Sequence, residues 1–118
     1  MKSTSHIRQI RKEDNPAVAT IVREVMSEFG AMGCGFSSED AEIDSMFEAY
    51  SGPGASFFVI EQNGIVLGCG GMAPLTGGDG TVCELRKMYF RPALRGSGLG
   101  SHLLQRILQV ARDAVFLR

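Results

Sequence analysis

The chain has 118 residues, 44% of them hydrophobic, which supports one domain with an ordinary core that needs no metal or crosslink. Twelve Lys and Arg against thirteen Asp and Glu leave a net charge of -1, excluding a global field that would draw nucleic acid or an anionic membrane. The three cysteines, Cys34, Cys69 and Cys83, form no Cys-x-x-Cys pair and have only His6 and His102 as companions, so they read as reduced packing residues with no metal site. Met1 to Lys12 lacks the apolar run of a signal peptide and no apolar segment has membrane length, so the expected address is the cytoplasm.

Ile7 to Arg11 alternates as a short first strand. Asp14-Asn15-Pro16 then offers a cap with proline in the first turn, and Val18, Ile21, Val22, Val25, Met26 and Phe29 give the helix that follows one apolar stripe, closed by Gly30. Ala31 to Phe36 reads as a loop. A second helix is expected from Ser37 or Ser38, where Ser37 and Asp40 have capping-box spacing, through Ile43, Met46, Phe47 and Tyr50, until Ser51-Gly52-Pro53-Gly54 breaks it. Ser56 to Glu61 and Ile65 to Leu75 are rich in β-formers and joined by Asn63-Gly64, which predicts an antiparallel hairpin. Gly68, Gly70 and Gly71 in its second strand point to a bulge, to close approach by another backbone, or simply to a bent strand. Thr76 to Gly80 turns into a strand from Val82 to Phe90, which carries Glu84 and stops at Arg91-Pro92.

Arg95-Gly96-Ser97-Gly98-Leu99-Gly100 lies between that strand and a helix whose apolar face is Leu99, Leu103, Ile107 and Ala111, with Leu104 and Leu108 beside them. Its glycines let a ligand approach the backbone, and a helix starting there aims unpaired amides at an anion, so the stretch is a candidate pyrophosphate cradle. The competing reading is a glycine-rich turn that merely reverses the chain. Only Leu99 separates Gly98 from Gly100, whereas a dinucleotide fingerprint needs two residues there, and Ser101-His102 follows where a P-loop needs Lys-Ser/Thr.

The order β-α-α-β-β-β-α, with Glu84-Leu85-Arg86-Lys87-Met88-Tyr89-Phe90-Arg91-Pro92-Ala93-Leu94 leading into the glycine loop, resembles the GNAT superfamily of acyl-CoA-dependent N-acetyltransferases, whose cofactor loop reads Arg/Gln-x-x-Gly-x-Gly/Ala. The resemblance implies an α+β fold of α/β-type three-layer form, a mostly antiparallel sheet flanked by helices. It also implies acetyl-CoA as cosubstrate. Backbone groups of Met88, Tyr89 and Phe90 would pair with the pantetheine arm as an added strand, and amides of Arg95, Gly96, Ser97, Gly98, Leu99, Gly100 and Ser101 would bind the pyrophosphate, with Arg95 adding charge. The Met88 backbone amide would bind the acyl oxygen beside a local bulge. Glu84, placed by simple alternation on one strand face with Arg86 and Met88, would be the general base; the competing reading makes it a solvated carboxylate paired with Arg86 or Lys87. Cys69 and Cys83 read as core residues, His102 as solvent-facing, Tyr89 as packed or at the cofactor's edge, and Arg91 and Arg106 as surface arginines within reach of a phosphate.

Against the family pattern only Ala114 to Arg118 follow the last helix, so residues 1–118 are expected to be a single domain that is C-terminally short, with the family's final strands largely missing. An open sheet edge would follow, and with it a homodimer. The expected acceptor is a small-molecule or peptide amine; the alternative function is a non-catalytic acyl-CoA-binding or interaction module.

Overall fold

The computed structural model describes residues 5–28, 30, 41–74 and 82–113. In chain order these form strand β1 (Ser5–Gln9), a 3-10 turn (Lys12–Asp14), helix α1 (Asn15–Glu28), a second 3-10 turn (Ala41–Ser45) and the short helix α2 (Met46–Ala49). Strands β2 (Ser56–Gln62), β3 (Ile65–Pro74) and β4 (Cys83–Phe90), a third 3-10 turn (Pro92–Leu94) and helix α3 (Leu99–Asp113) follow. The strands make one antiparallel sheet in the order β1-β2-β3-β4.

Helices cover both faces of this sheet, in the expected α+β arrangement of three layers. Phe57 and Val59 pack into the layer of α1, α2 and the turn before α2, among Ile21, Val22, Ile43 and Met46. Phe58 and Ile60 point the other way, against Leu103, Ile107 and Ala111 of α3. A strand buried on both sides has no polar alternation, which is why β2 reads as an unbroken apolar run. The β2–β3 hairpin turns through Asn63 at φ +53 and Gly64 at φ +83, two left-handed residues matching the right-handed twist of the strands. Gly30, at φ +73, donates its N–H to Ser27 O at 3.0 Å just past α1.

Two expectations shift. β1 ends at Gln9, not Arg11, because the Arg11 N–H donates to the Asp14 carboxylate at 2.7 Å and opens the first 3-10 turn. The helix expected through Tyr50 is, in its described part, a 3-10 turn and then the four residues of α2. Ile43 and Met46, both 0% exposed and three apart, share one side of a coil with three residues per turn, and Ser45 leaves helical geometry (φ -137, ψ 44) between them. Phe29, the loop and capping box expected within 31–40, and the turn expected within 76–80 lie outside the described residues.

Asp14 ties these layers together. It is 5% exposed, and its carboxylate accepts from Arg8 Nη1 and Nη2 at 2.8 and 3.0 Å, while Arg8 Nη2 also reaches Glu61 at 3.1 Å. β1, β2 and the entry to α1 thus meet in one ion cluster. Burial by itself pushes the Asp14 carboxyl up, but the hydrogen bonds from Arg8 and the Arg11 backbone outweigh it and hold the group below its ordinary range. A depressed folded value stabilises fully above the unfolded value of about 3.9, and that stabilisation is lost as pH falls through the folded value. Asp14→Asn is therefore expected to lower stability by about 3 kcal/mol at pH 7. In urea titrations the gap to the wild type should narrow below about pH 4; equal midpoints at pH 7 would show that the cluster holds nothing.

Candidate cofactor and acyl-transfer site

The Arg91 N–H closes the β3–β4 ladder on Leu67 O at 2.9 Å, and Pro92, which has no N–H to continue it, begins the third 3-10 turn. Gly96 at φ +81 and Gly98 at φ +83 then fold the loop back so that α3 begins at Leu99. Nothing lies within 4 Å of where a Cβ would sit on either glycine, so their role is backbone conformation and an open approach. Ser97 Oγ donates to Leu94 O at 2.5 Å and accepts the Leu99 N–H at 3.3 Å, while the His102 N–H bonds to Gly98 O at 3.3 Å. Among the described residues, the N–H groups of Gly96, Gly98, Gly100 and Ser101 have no acceptor. They border an open cavity of about 380 Å³, completed by Arg95, Leu94 and Phe90. Unpaired amides at the positive end of a 15-residue helix make this the place for an anion.

Phe90 forms one wall because β3 leaves room for it. A Cβ on Gly68 would lie 2.6 Å from Phe90 Cδ1, and one on Gly100 would lie 3.4 Å from Phe90 Cε2. At Gly71 the close neighbours are the Ser56 carbonyl and Phe57 of β2. The glycines of β3 thus serve close approach, by a side chain at Gly68 and by another backbone at Gly71, and the register also shifts between Cys69 and Gly71.

That shift belongs to β4. Cys69 pairs with Tyr89 and Gly71 with Arg86, so Lys87 and Met88 together oppose Gly70 alone. Lys87 takes φ +53 at this bulge, a left-handed conformation that costs a non-glycine residue on the order of 1–2 kcal/mol. The bulge corrects the simple alternation: Glu84 and Met88 do not share a face. Arg86 reaches Tyr50 on the α1/α2 side and is bonded by Glu84, whereas Met88 and Phe90 pack on the α3 side and Tyr89 on the α1 side. Alternate residues of an antiparallel strand turn their backbone groups toward and away from the neighbour. With Arg91 bonded back to β3, Phe90 and Met88 turn theirs to the outer edge of β4, which no strand pairs among the described residues, while Tyr89 faces Cys69.

The family model described as Acetyltransferase (GNAT) family matches residues 12–118. The chain belongs to the GNAT acetyltransferase family. YjgM, an uncharacterised N-acetyltransferase of Escherichia coli K12, is 42% identical over 113 residues, covering 95% of this chain and 68% of that protein. The L-amino acid N-acyltransferase MnaT of the same organism is 31% identical over 111 residues, 91% of this chain and 63% of its own length. The GNAT chain spans 39% to 68% of the length of the curated relatives it matches. Among solved structures, the acetyltransferase yncA of Salmonella typhimurium, solved with its cofactor acetyl-CoA, superposes with a TM-score of 0.78 at 27% identity, over 94% of this chain and 65% of that one. A GNAT acetyltransferase of Staphylococcus aureus gives a TM-score of 0.82 at 16% identity over 96% and 70% of the two chains, a likeness of fold.

Within this GNAT chain the residues singled out from sequence are not all brought together. Glu84, 45% exposed, accepts from Arg86 Nε at 2.7 Å through Oε1, and its Oε2 has no partner among the described residues. Arg95 is committed elsewhere: its guanidinium grips the Glu28 carboxylate at 2.5 and 2.8 Å and donates to the Phe90 carbonyl at 2.9 and 3.1 Å. Its charge is therefore shared with Glu28 at the C-terminal end of α1. Arg91 lies 3.2 Å from Glu24, and His102 and Arg106 are exposed on α3. Cys69 is buried, its thiol pushed up to about 12 by desolvation and donated to Lys87 O at 3.4 Å, so it packs and does not attack. Sequence reading missed Glu28, Glu42 and Tyr50. Glu28 meets Arg95 across 67 residues and Glu42 meets Lys87 across 45, separations at which no local pattern signals a contact.

Gly98→Ala is expected to destabilise by about 1–2 kcal/mol through backbone strain alone. Arg95→Ala should accelerate exchange of the bonded Arg95, Ser97 and Leu99 amides without changing exchange in β2. Unaltered loop protection in that variant would show that the guanidinium holds nothing in place.

Proposed function

We propose that this chain transfers an acetyl group from acetyl-CoA to a primary amine of a small molecule or peptide, within a single domain spanning residues 1–118. The observation that carries the reading is the set of amides at Gly96, Gly98, Gly100 and Ser101 with no acceptor among the described residues, opening beside the outer edge of β4. Family membership and the acetyl-CoA held by the yncA neighbour support it. Direct amide bonds from the loop of Arg95 to Ser101, Leu99 and Ser97 included, supply most of the affinity for the pyrophosphate, since a helix end alone is worth about 0.3–1 kcal/mol per charge. The pantetheine arm lies along the strand of Met88, Tyr89 and Phe90, with the edge-facing Met88 carbonyl and Phe90 N–H making the ladder bonds while Arg95 holds the Phe90 carbonyl.

In this reading the amine nitrogen attacks the thioester carbonyl carbon, the new C–N bond forms, and the C–S bond breaks to release the CoA thiolate; the proton the nitrogen still carries in excess leaves to solvent, and the thiolate takes one up from it. The Met88 N–H stabilises the negative charge that develops on the acyl oxygen. A lysine-like amine is protonated below about pH 10.4 and must first lose that proton. Glu84 takes it, directly or through a water on Oε2, a contribution of roughly 10²- to 10⁴-fold. The MnaT relative, named for acylating L-amino acids, agrees with an amine acceptor. Leu85, 47% exposed on edge strand β4, fits a second copy of the chain as the cover of that edge.

Acetyl-CoA is expected to raise the melting temperature, and thiol release should appear with at least one member of a panel of polyamines, amino acids, antibiotic amines and peptide N-termini. Glu84→Gln should lower transfer at neutral pH by about 10²-fold or more and leave the thermal shift intact. Stabilisation by acetyl-CoA without thiol release from any acceptor would replace the enzyme reading with that of a non-catalytic acyl-CoA-binding module. No stabilisation at all would remove the cofactor.

A further inference from the structure

The bulge in β4 is anchored by a polar cluster that the reaction as described does not use. Lys87 sits at φ +53, where lysine is strained and glycine is not. Its side chain is 11% exposed, and its ammonium donates to Glu42 Oε2 at 2.9 Å. The same oxygen accepts from the Tyr50 hydroxyl at 2.9 Å. Tyr50 is itself 4% exposed and packs on Phe57 of β2 with ring centroids 5.0 Å apart, so the carboxylate that holds Lys87 is referenced to the sheet core. On the backbone side, the Lys87 carbonyl accepts from the buried Cys69 thiol. A lysine on a strand edge ordinarily extends into water and keeps an extended φ; here a strained backbone coincides with a largely desolvated ion pair at one residue.

Met88 follows immediately. If Lys87 relaxed to an extended conformation, the residue count opposite Gly70 would change and every group after it would turn by one step of the pleat. The Met88 N–H would then rotate away from the outer edge. We infer that the Glu42–Lys87 pair, oriented by Tyr50, is a positioning device that holds the β4 bulge and so sets the direction of the Met88 amide. This rests on the acyl-oxygen role proposed for that amide. None of the three residues touches the reacting atoms in this account; Glu42 and Tyr50 act through Lys87, and Lys87 acts through the backbone.

Steady-state kinetics with acetyl-CoA and the best amine of the panel test it. Lys87→Ala keeps the strain and removes the tie, so kcat is expected to fall about tenfold or more with KM for acetyl-CoA unchanged, short of the 10²- to 10³-fold for losing an oxyanion donor outright. Lys87→Gly loses the same ammonium but adopts the left-handed conformation freely, and is expected to recover most of that loss. In parallel the Met88 amide resonance should move in Lys87→Ala and return toward its wild-type position in Lys87→Gly. Glu42→Gln should lower kcat at constant KM, and it carries the test if Lys87→Ala does not fold. Glycine as inactive as alanine would mean that the ammonium acts directly, and overturns the inference. So do Glu42→Gln and Lys87→Ala variants that match a wild type which binds acetyl-CoA and turns over. A wild type that does neither overturns the underlying reading, and the inference falls with it.

Discussion

One extra residue in β4 decides how this molecule is sorted. Side chains of a strand alternate with a period of two, so the pair Lys87 and Met88 opposite Gly70 reverses the sense of everything on one side relative to the other. Ahead of the bulge, Arg86 turns toward Tyr50 and the α1/α2 layer. Beyond it, Met88 and Phe90 enter the core under α3, and Tyr89 enters the core under α1. A regular strand would send Phe90 to the α1 side and empty the place it fills between Gly68 and Gly100. The floor of the glycine loop therefore depends on a backbone irregularity several residues before it.

The loop is then gripped by both helical layers. From one side α3 supplies its first turn, anchored by Leu103 at 0% exposure and by Ile107 and Ala111. From the other, Glu28 at the end of α1 holds Arg95, which also ties back to the Phe90 carbonyl. Exposed ion pairs are individually weak, but a two-pronged guanidinium–carboxylate contact with a further acceptor fixes direction even where it adds little stability. The effect is to leave the cavity of about 380 Å³ lined by amides with no acceptor in place of a free cation. An anion entering there meets dipoles already oriented, which spares the reorganisation that flexible side chains would require.

Elements with a local cause were legible in the sequence, and those with a remote cause were not. The Asn63-Gly64 turn, the α1 stripe, the end of β4 at Arg91-Pro92 and the start of α3 at Leu99 each follow from residues within a few positions. The end of β1 was misplaced by two residues because the Asp14 carboxylate captures the Arg11 amide, a contact that hydrophobic periodicity does not report. The 3-10 turn before α2 is not marked by local pattern, since Ile43 and Met46, three apart and both buried, fit either an α-helical or a 3-10 spacing. At the site, the glycine loop could be located from its spacing, and the family resemblance implied a bulge beside Met88, but its residue could not be named: nothing in Glu84-Leu85-Arg86-Lys87-Met88 marks Lys87 as left-handed. Its signal lies in the three glycines of β3 across the ladder and in Glu42, far away along the chain.

The bulge also changes what Glu84 and Met88 can do together. Placed on one face they would have competed for the same side of the sheet, a carboxylate next to a thioether in the core. Placed on opposite faces they are compatible, because the contribution proposed for Met88 is its N–H, and backbone N–H groups lie in the plane of the sheet, perpendicular to the side chains. An acyl carbonyl bonded to that amide at the outer edge of β4 would present its carbon to a nucleophile arriving from either face. Arrival from the α1/α2 face would bring an amine past Glu84, whose Oε1 is steadied by Arg86 at 2.7 Å while Oε2 stays open. The thioether of Met88 would meanwhile remain packed under α3, closing the other approach. On the roles proposed for them, the Glu84 carboxylate lies on one face and the Met88 side chain on the other while the Met88 N–H stays in the plane of the sheet, which would give the acyl carbon one open side and one sealed side; the residue at which the faces reverse is the left-handed Lys87.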